Sequence, residues 1–169
     1  MIFQLALMLA STAQSCAVPP AERQRQLALT YEAFDSAPKP YGWRALNASG
    51  CTDAAVALLK SYLQANRLKL TAEERREMPF HIGQVFAFGG RDADAAPYFI
   101  QADSPDAPEE WRAFVAAHIA FFRHDRSLLE QARARYAALA KSGSMRLKVI
   151  DGFLACPTKS YMEAAHCAM

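Results

Sequence analysis

The sequence predicts an all-α protein built from stacked antiparallel helix pairs. Three observations carry that expectation. First, 34 of the 169 residues are alanine, against 15 for Val, Ile and Thr combined. A sheet favours β-branched side chains, whereas alanine gives up no side-chain entropy in a helix. Second, apolar residues recur at helical spacing between short breaks at 49–52, 66–71, 89–92, 103–108, 123–126, 142–144 and 156–159. Third, the chain resembles itself when shifted by 37 residues, the mark of a repeated supersecondary unit. An irregular helical bundle is the alternative architecture. The length suits one domain with a real core, and 21% charged residues argue against wholesale disorder. A net charge of +2 is too small to advertise nucleic acid as a partner.

Met1 to Ala17 carry no charged side chain. An apolar run over Ile2–Ala10 precedes Ser11-Thr12-Ala13-Gln14-Ser15, with Ala13-Gln14-Ser15 as a small-x-small cleavage site. Residues 1–17 therefore read as a signal peptide and residues 18–169 as one helical-repeat domain, periplasmic or secreted. The run falls short of the roughly 20 apolar residues that span a bilayer. Cys16 opens a second reading, a lipoprotein acylated at that sulfur, which would be the only route to a membrane. A cytosolic amphipathic helix is a third.

Pro19-Pro20 followed by Ala21-Glu22 marks a helix start, and the stripe Leu27, Tyr31, Phe34 carries that terminal helix over 20–35. Ser36 to Pro40 breaks it. Helix pairs then occupy about 41–66, 72–103 and 108–140. Thr71 with Glu74 reads as a capping box, Gly89-Gly90 and Ser142-Gly143 as stops, and Pro108-Glu109-Glu110 as a helix start with favourable negative charge. The stripe Leu147, Ile150, Leu154 and the short segment Tyr161–Ala168 form a terminal unit over 145–169.

The 37-residue shift aligns Leu58 with Ala95 and Ala132, Tyr62 with Phe99 and Tyr136, Ala65 with Ala102 and Leu139, and Leu46 with Gly83 and Ala120. Gly83, Phe86, Ala95, Phe99 and Ala102, with a proline at 105 or 108, resemble the small-and-aromatic pattern of a tetratricopeptide repeat. That resemblance covers about residues 41–140 and implies an α-solenoid whose first helices line a concave groove for a peptide or a partner's helix. Carried over by position, the groove residues are Asn47, Phe80, Gln84, Ala87, Phe121 and His124. Trp43 and Trp111 open first helices, with Phe80 and Phe114; rings at this helical spacing are more often core than groove, which is the competing reading for Phe80.

Four cysteines, Cys16, Cys51, Cys156 and Cys167, admit three pairings, and none has zinc-site spacing. Export favours oxidation. A Cys156–Cys167 bridge would tie the last helix back on the one before it and leave Cys16–Cys51 to pin the N-terminal tail. Lipidation at Cys16 would leave Cys51 free, and in a cytosolic protein all four would be reduced.

No phosphate loop, nucleophile elbow, HExxH or dinucleotide fingerprint is present, so no cofactor is expected. The function predicted is binding of a protein or peptide without catalysis. One alternative is an envelope enzyme or metal protein using His81 and His118, themselves 37 residues apart, with Glu77 one turn before His81. Another is an inhibitor or immunity-type protein whose contact surface lies elsewhere.

Overall fold

The computed structural model describes residues 16–36 and 40–169, over which the chain forms ten helices and no strand. The signal-peptide reading falls almost wholly on residues 1–15, outside the described residues. The first helix, α1, covers Pro20–Leu27 and starts at Pro20, where a missing N–H costs nothing. The single helix expected over 20–35 is instead two, with α2 at Tyr31–Asp35. Thr30 makes the difference: its hydroxyl accepts from the Ala33 N–H at 3.3 Å and so caps a new helix.

The elbow this creates turns carbonyls toward the body. Asn66 Nδ2 donates to the Leu27 carbonyl at 3.0 Å, and the Tyr62 hydroxyl donates to that of Leu29 at 2.9 Å. The Phe34 ring stacks on Tyr62 with centroids 3.8 Å apart. These contacts dock α1 and α2 against α4.

The remaining helices are α3 (Trp43–Ala48), α4 (Thr52–Asn66), α5 (Ala72–Phe88), α6 (Asp92–Ala102), α7 (Glu109–Phe122), α8 (Arg126–Leu139), α9 (Met145–Ala155) and α10 (Tyr161–His166). The capping box at Thr71 and Glu74 is formed. Short turns return the chain on itself, so α3 packs on α4, α5 on α6, α7 on α8 and α9 on α10. Contacts of α4 with α5, α6 with α7 and α8 with α9 join the pairs into one stack.

Three of the four aligned columns lie inside. Tyr62, Phe99 and Tyr136 are at most 1% exposed; Leu58, Ala95 and Ala132, and Leu46, Gly83 and Ala120, are buried too. The fourth column is mixed, with Ala102 buried but Ala65 and Leu139 exposed. Gly83 is where α5 and α6 approach closely: a Cβ there would stand 3.1 Å from the Phe99 ring.

The ends of the first helices share a feature that the residue columns do not contain. After α3, the Cys51 N–H donates to the Leu46 carbonyl and Gly50 to Asn47; after α5, Arg91 donates to Phe86 and Gly90 to Ala87. After α7, Asp125 donates to Ala120 and His124 to Phe121. Each is a Schellman turn with one residue at positive φ: Gly50 at 75°, Gly90 at 70° and His124 at 53°.

Two disulfides clasp the stack, Cys16–Cys51 with Cα atoms 5.3 Å apart and Cys156–Cys167 with Cα atoms 6.3 Å apart. Cys51, which lipidation at Cys16 would leave free, is here joined to Cys16, and among the described residues no cysteine is free. Among the described residues no helix is long and apolar enough to cross a membrane.

Candidate functional site

The deepest polar group is His118, fully buried on α7. Rings of Phe80, Phe99, Phe114, Phe153 and Tyr161 surround it, with centroids 4.5–5.9 Å from its own. Its Nδ1 donates to the Phe114 carbonyl one turn back at 2.8 Å, which makes Nε2 the unprotonated nitrogen; Nε2 has no hydrogen-bond partner. Burial pushes its pKa down to about 4, so the ring is neutral at ordinary pH.

His81 lies in a different environment. Its Nε2 is 3.2 Å from Asp35 Oδ1 and its Nδ1 is 3.1 Å from Gln84 Oε1, with Trp43 beside the ring at 5.0 Å. Burial lowers its pKa, and the Asp35 carboxylate opposes that shift. The Phe80 ring flanks both histidines, at 6.2 Å from His81 and 4.9 Å from His118. Glu77 turns to accept from the Tyr31 hydroxyl at 2.7 Å. The arrangement expected for shared chemistry by His81, His118 and Glu77 is therefore not assembled: one histidine is walled in by aromatic rings and the carboxylate is engaged by a phenol. Among the described residues no group of three or more His, Cys, Asp or Glu side chains is placed to hold a metal ion.

The six groove positions do not form one open face either. Phe80 and Ala87 are 4% and 2% exposed, and Phe80 belongs to the ring cluster around His118. Asn47 is half-buried near the end of α3. Gln84 is half-buried, with its Oε1 3.1 Å from His81 Nδ1 and its side chain near the Tyr161 hydroxyl. Tyr161 explains the closure. From the start of α10 its ring reaches Phe88, Phe121, Phe122 and Phe153, covering the face that α5, α7 and α9 share.

Phe121 and His124 are brought together. They line a largely apolar cleft of about 280 Å³ where α7 turns into α8, with Leu129, Leu154 and Pro157 forming other walls and Arg126 among the lining residues. The local sequence builds it rigidly. Asp125 caps α8 by accepting from the Leu128 N–H at 3.0 Å, and Arg126 pairs with Glu130 at 2.8 Å. The Cys156–Cys167 bridge begins next to Pro157, so the far wall is covalently anchored. Leu154 belongs to the apolar stripe of the terminal unit and Pro157 to a break; neither carries a periodic signal of a binding site. The unusual feature is His124 itself, exposed, at a left-handed position that glycine holds after α3 and α5. A side chain there costs roughly 1–2 kcal/mol.

Comparison with protein-family models, with curated proteins and with solved structures finds no match for this chain.

Proposed function

We propose that this chain is an exported helical-repeat module, of tetratricopeptide-like construction, that binds a protein or peptide and performs no catalysis. The observation that carries the reading is His124. It holds a backbone conformation that glycine would adopt without strain, and its side chain lines an apolar cleft beside Phe121. Strain retained at a cleft is a pointer to binding. The cleft's volume of about 280 Å³ suits one large apolar side chain of a partner, and its capped and disulfide-anchored walls reduce the entropy lost on docking. Export is supported by the charge-free leader and by two disulfides, which persist in oxidising compartments.

The test is capture of partners from envelope extract by the wild-type chain and by Leu154→Glu and His124→Gly. A partner that is held by the wild type and by Asn47→Ala but lost from Leu154→Glu supports the cleft. A partner held equally by all four chains overturns it. Intact mass of the mature protein tests export, since a mass beginning at Met1 would remove it.

A further inference from the structure

We propose that a second groove, bounded by α4, α5 and α6, binds an acidic peptide segment. It has a volume of about 550 Å³ and lies apart from the cleft at His124, with which it shares no residue. Three cations line it, Lys60 on α4, Arg67 at its C-cap and Arg75 on α5, and no Asp or Glu lines it. All three are exposed, and none takes part in an ion pair of the described residues.

Exposed cations without an ion pair also occur elsewhere, Arg123, Lys141, Lys148 and Lys159 among them; the groove differs in gathering three around one cavity that no carboxylate lines. Arg25, Arg44, Arg91, Arg112, Arg126, Arg133 and Arg135 each have a carboxylate within 4.0 Å. In this groove the positive charges are held by other means. Lys60 Nζ stands 5.2 Å over the Tyr98 ring, and Arg75 donates to the Leu70 carbonyl. Like charges gathered without counter-charge repel one another, and an anionic ligand relieves that repulsion.

The remaining lining matches a peptide more closely than a bare anion. Gln64 offers an amide that donates and accepts, as a peptide backbone requires, and Ile82 and Tyr98 supply apolar surface. Lys60 on α4 and Arg67 at its C-cap, where the backbone is still right-handed helical, are seven residues apart, so about 10.5 Å separates them along the axis. An extended polyproline-type peptide repeats its face every three residues, or about 9 Å. Carboxylates at every third position would meet both cations, with an apolar residue between them turned to the floor.

The experiment uses a fluorescein-labelled nonapeptide of the repeat Glu-Pro-Leu, followed by anisotropy against the full oxidised chain. Saturable binding that weakens at least tenfold in K60E/R67E, at least threefold in K60Q/R67Q, and as sodium chloride rises from 50 to 500 mM, is the result expected. K141E/K148E removes two exposed lysines elsewhere and should bind as the wild type does. Both altered positions of the groove are exposed, and thermal melts confirm that each variant folds. No binding of the acidic peptide overturns the proposal, as does an equal loss in K141E/K148E. Tighter binding of a single-stranded oligonucleotide or of phosphatidylglycerol vesicles than of the peptide also overturns it. Leu154→Glu should leave this binding unchanged, which separates its failure from failure of the cleft.

Discussion

The ring of Tyr161 stacks on that of Phe122, with centroids 5.6 Å apart and planes 11° from parallel. This one contact joins a six-residue helix at the C-terminus to the middle of the stack. Tyr161 is 1% exposed, and it also meets Phe88, Phe99, His118, Phe121 and Phe153. A helix of six residues has no stability of its own, so α10 depends on this anchor and on the disulfide. Tyr161→Ala should therefore cost about 3–5 kcal/mol, read as a fall in the denaturant midpoint. Tyr161→Phe keeps the ring and loses only the hydroxyl, for about 1 kcal/mol or less. Similar losses in the two variants would show that the ring is not the anchor.

His118 makes stability depend on pH in a defined window. Unfolded, the imidazole titrates near 6.5; folded, burial holds it at about 4. The unfolded chain thus binds the extra proton between those values, and stability rises with pH across them. Stability is complete above pH 6.5 and is lost progressively as pH falls toward 4, by about 3 kcal/mol from this residue. His81, also lowered by burial, adds in the same direction. Urea midpoints of the wild type and of His118→Phe measured from pH 7.5 to 4 check this. The variant should show a flatter profile, and a profile as steep as the wild type's would assign the loss to other groups.

Much of this fold is legible in the residues because helix signals are local. Thr71 with Glu74, Pro108 before two glutamates, and glycine or aspartate at the turns mark where helices start and stop without reference to the rest of the chain. The elbow at Thr30 is harder to see: the stripe Leu27, Tyr31, Phe34 continues the helical period across it, and only the hydroxyl's bond to the Ala33 N–H reveals the restart. The candidate site is less legible still. His81 and His118 share a 37-residue spacing, yet spacing places them on helices and says nothing of which way α10 returns. The return of α10 is set by Tyr161 meeting six aromatic or imidazole rings and by Gly152, where a Cβ would collide with the Ala164 carbonyl oxygen. Those are long-range contacts with no period. His124 at a glycine position is likewise visible only as a φ angle. Lys60 and Arg67 read as ordinary helix-surface cations, because their meeting with Arg75 in one groove without a carboxylate is a property of the folded chain alone.

The two disulfides should differ in what their loss costs. Cys16–Cys51 spans 35 residues and Cys156–Cys167 spans 11, so chain entropy assigns roughly 4 and 3 kcal/mol respectively. The shorter bridge also holds α10 and the wall of the cleft at Pro157. Cys156→Ser/Cys167→Ser should weaken partner binding at the cleft as well as stability, whereas Cys16→Ser/Cys51→Ser should lower stability alone. Thermal melts paired with a binding assay distinguish the two, and equal binding losses would argue that the bridges act only through global stability.

His124→Gly is the sharpest test of whether the left-handed turn serves binding. Glycine adopts φ near 53° without a Cβ penalty, and it holds this same turn after α3 and α5. The variant loses the imidazole wall of the cleft but none of the backbone bonds, since the Asp125–Ala120 and His124–Phe121 bonds are main-chain. Folded-state strain should fall by about 1 kcal/mol, raising the melting temperature by roughly 2–4 °C for a chain of this size. Partner affinity should fall at the same time, because the side chain that justifies the strain is gone. A variant that is more stable and binds as well as the wild type would show that His124 serves neither purpose. One that is less stable would show that the imidazole supports the turn itself, and the cleft would then lose its strongest pointer to a partner.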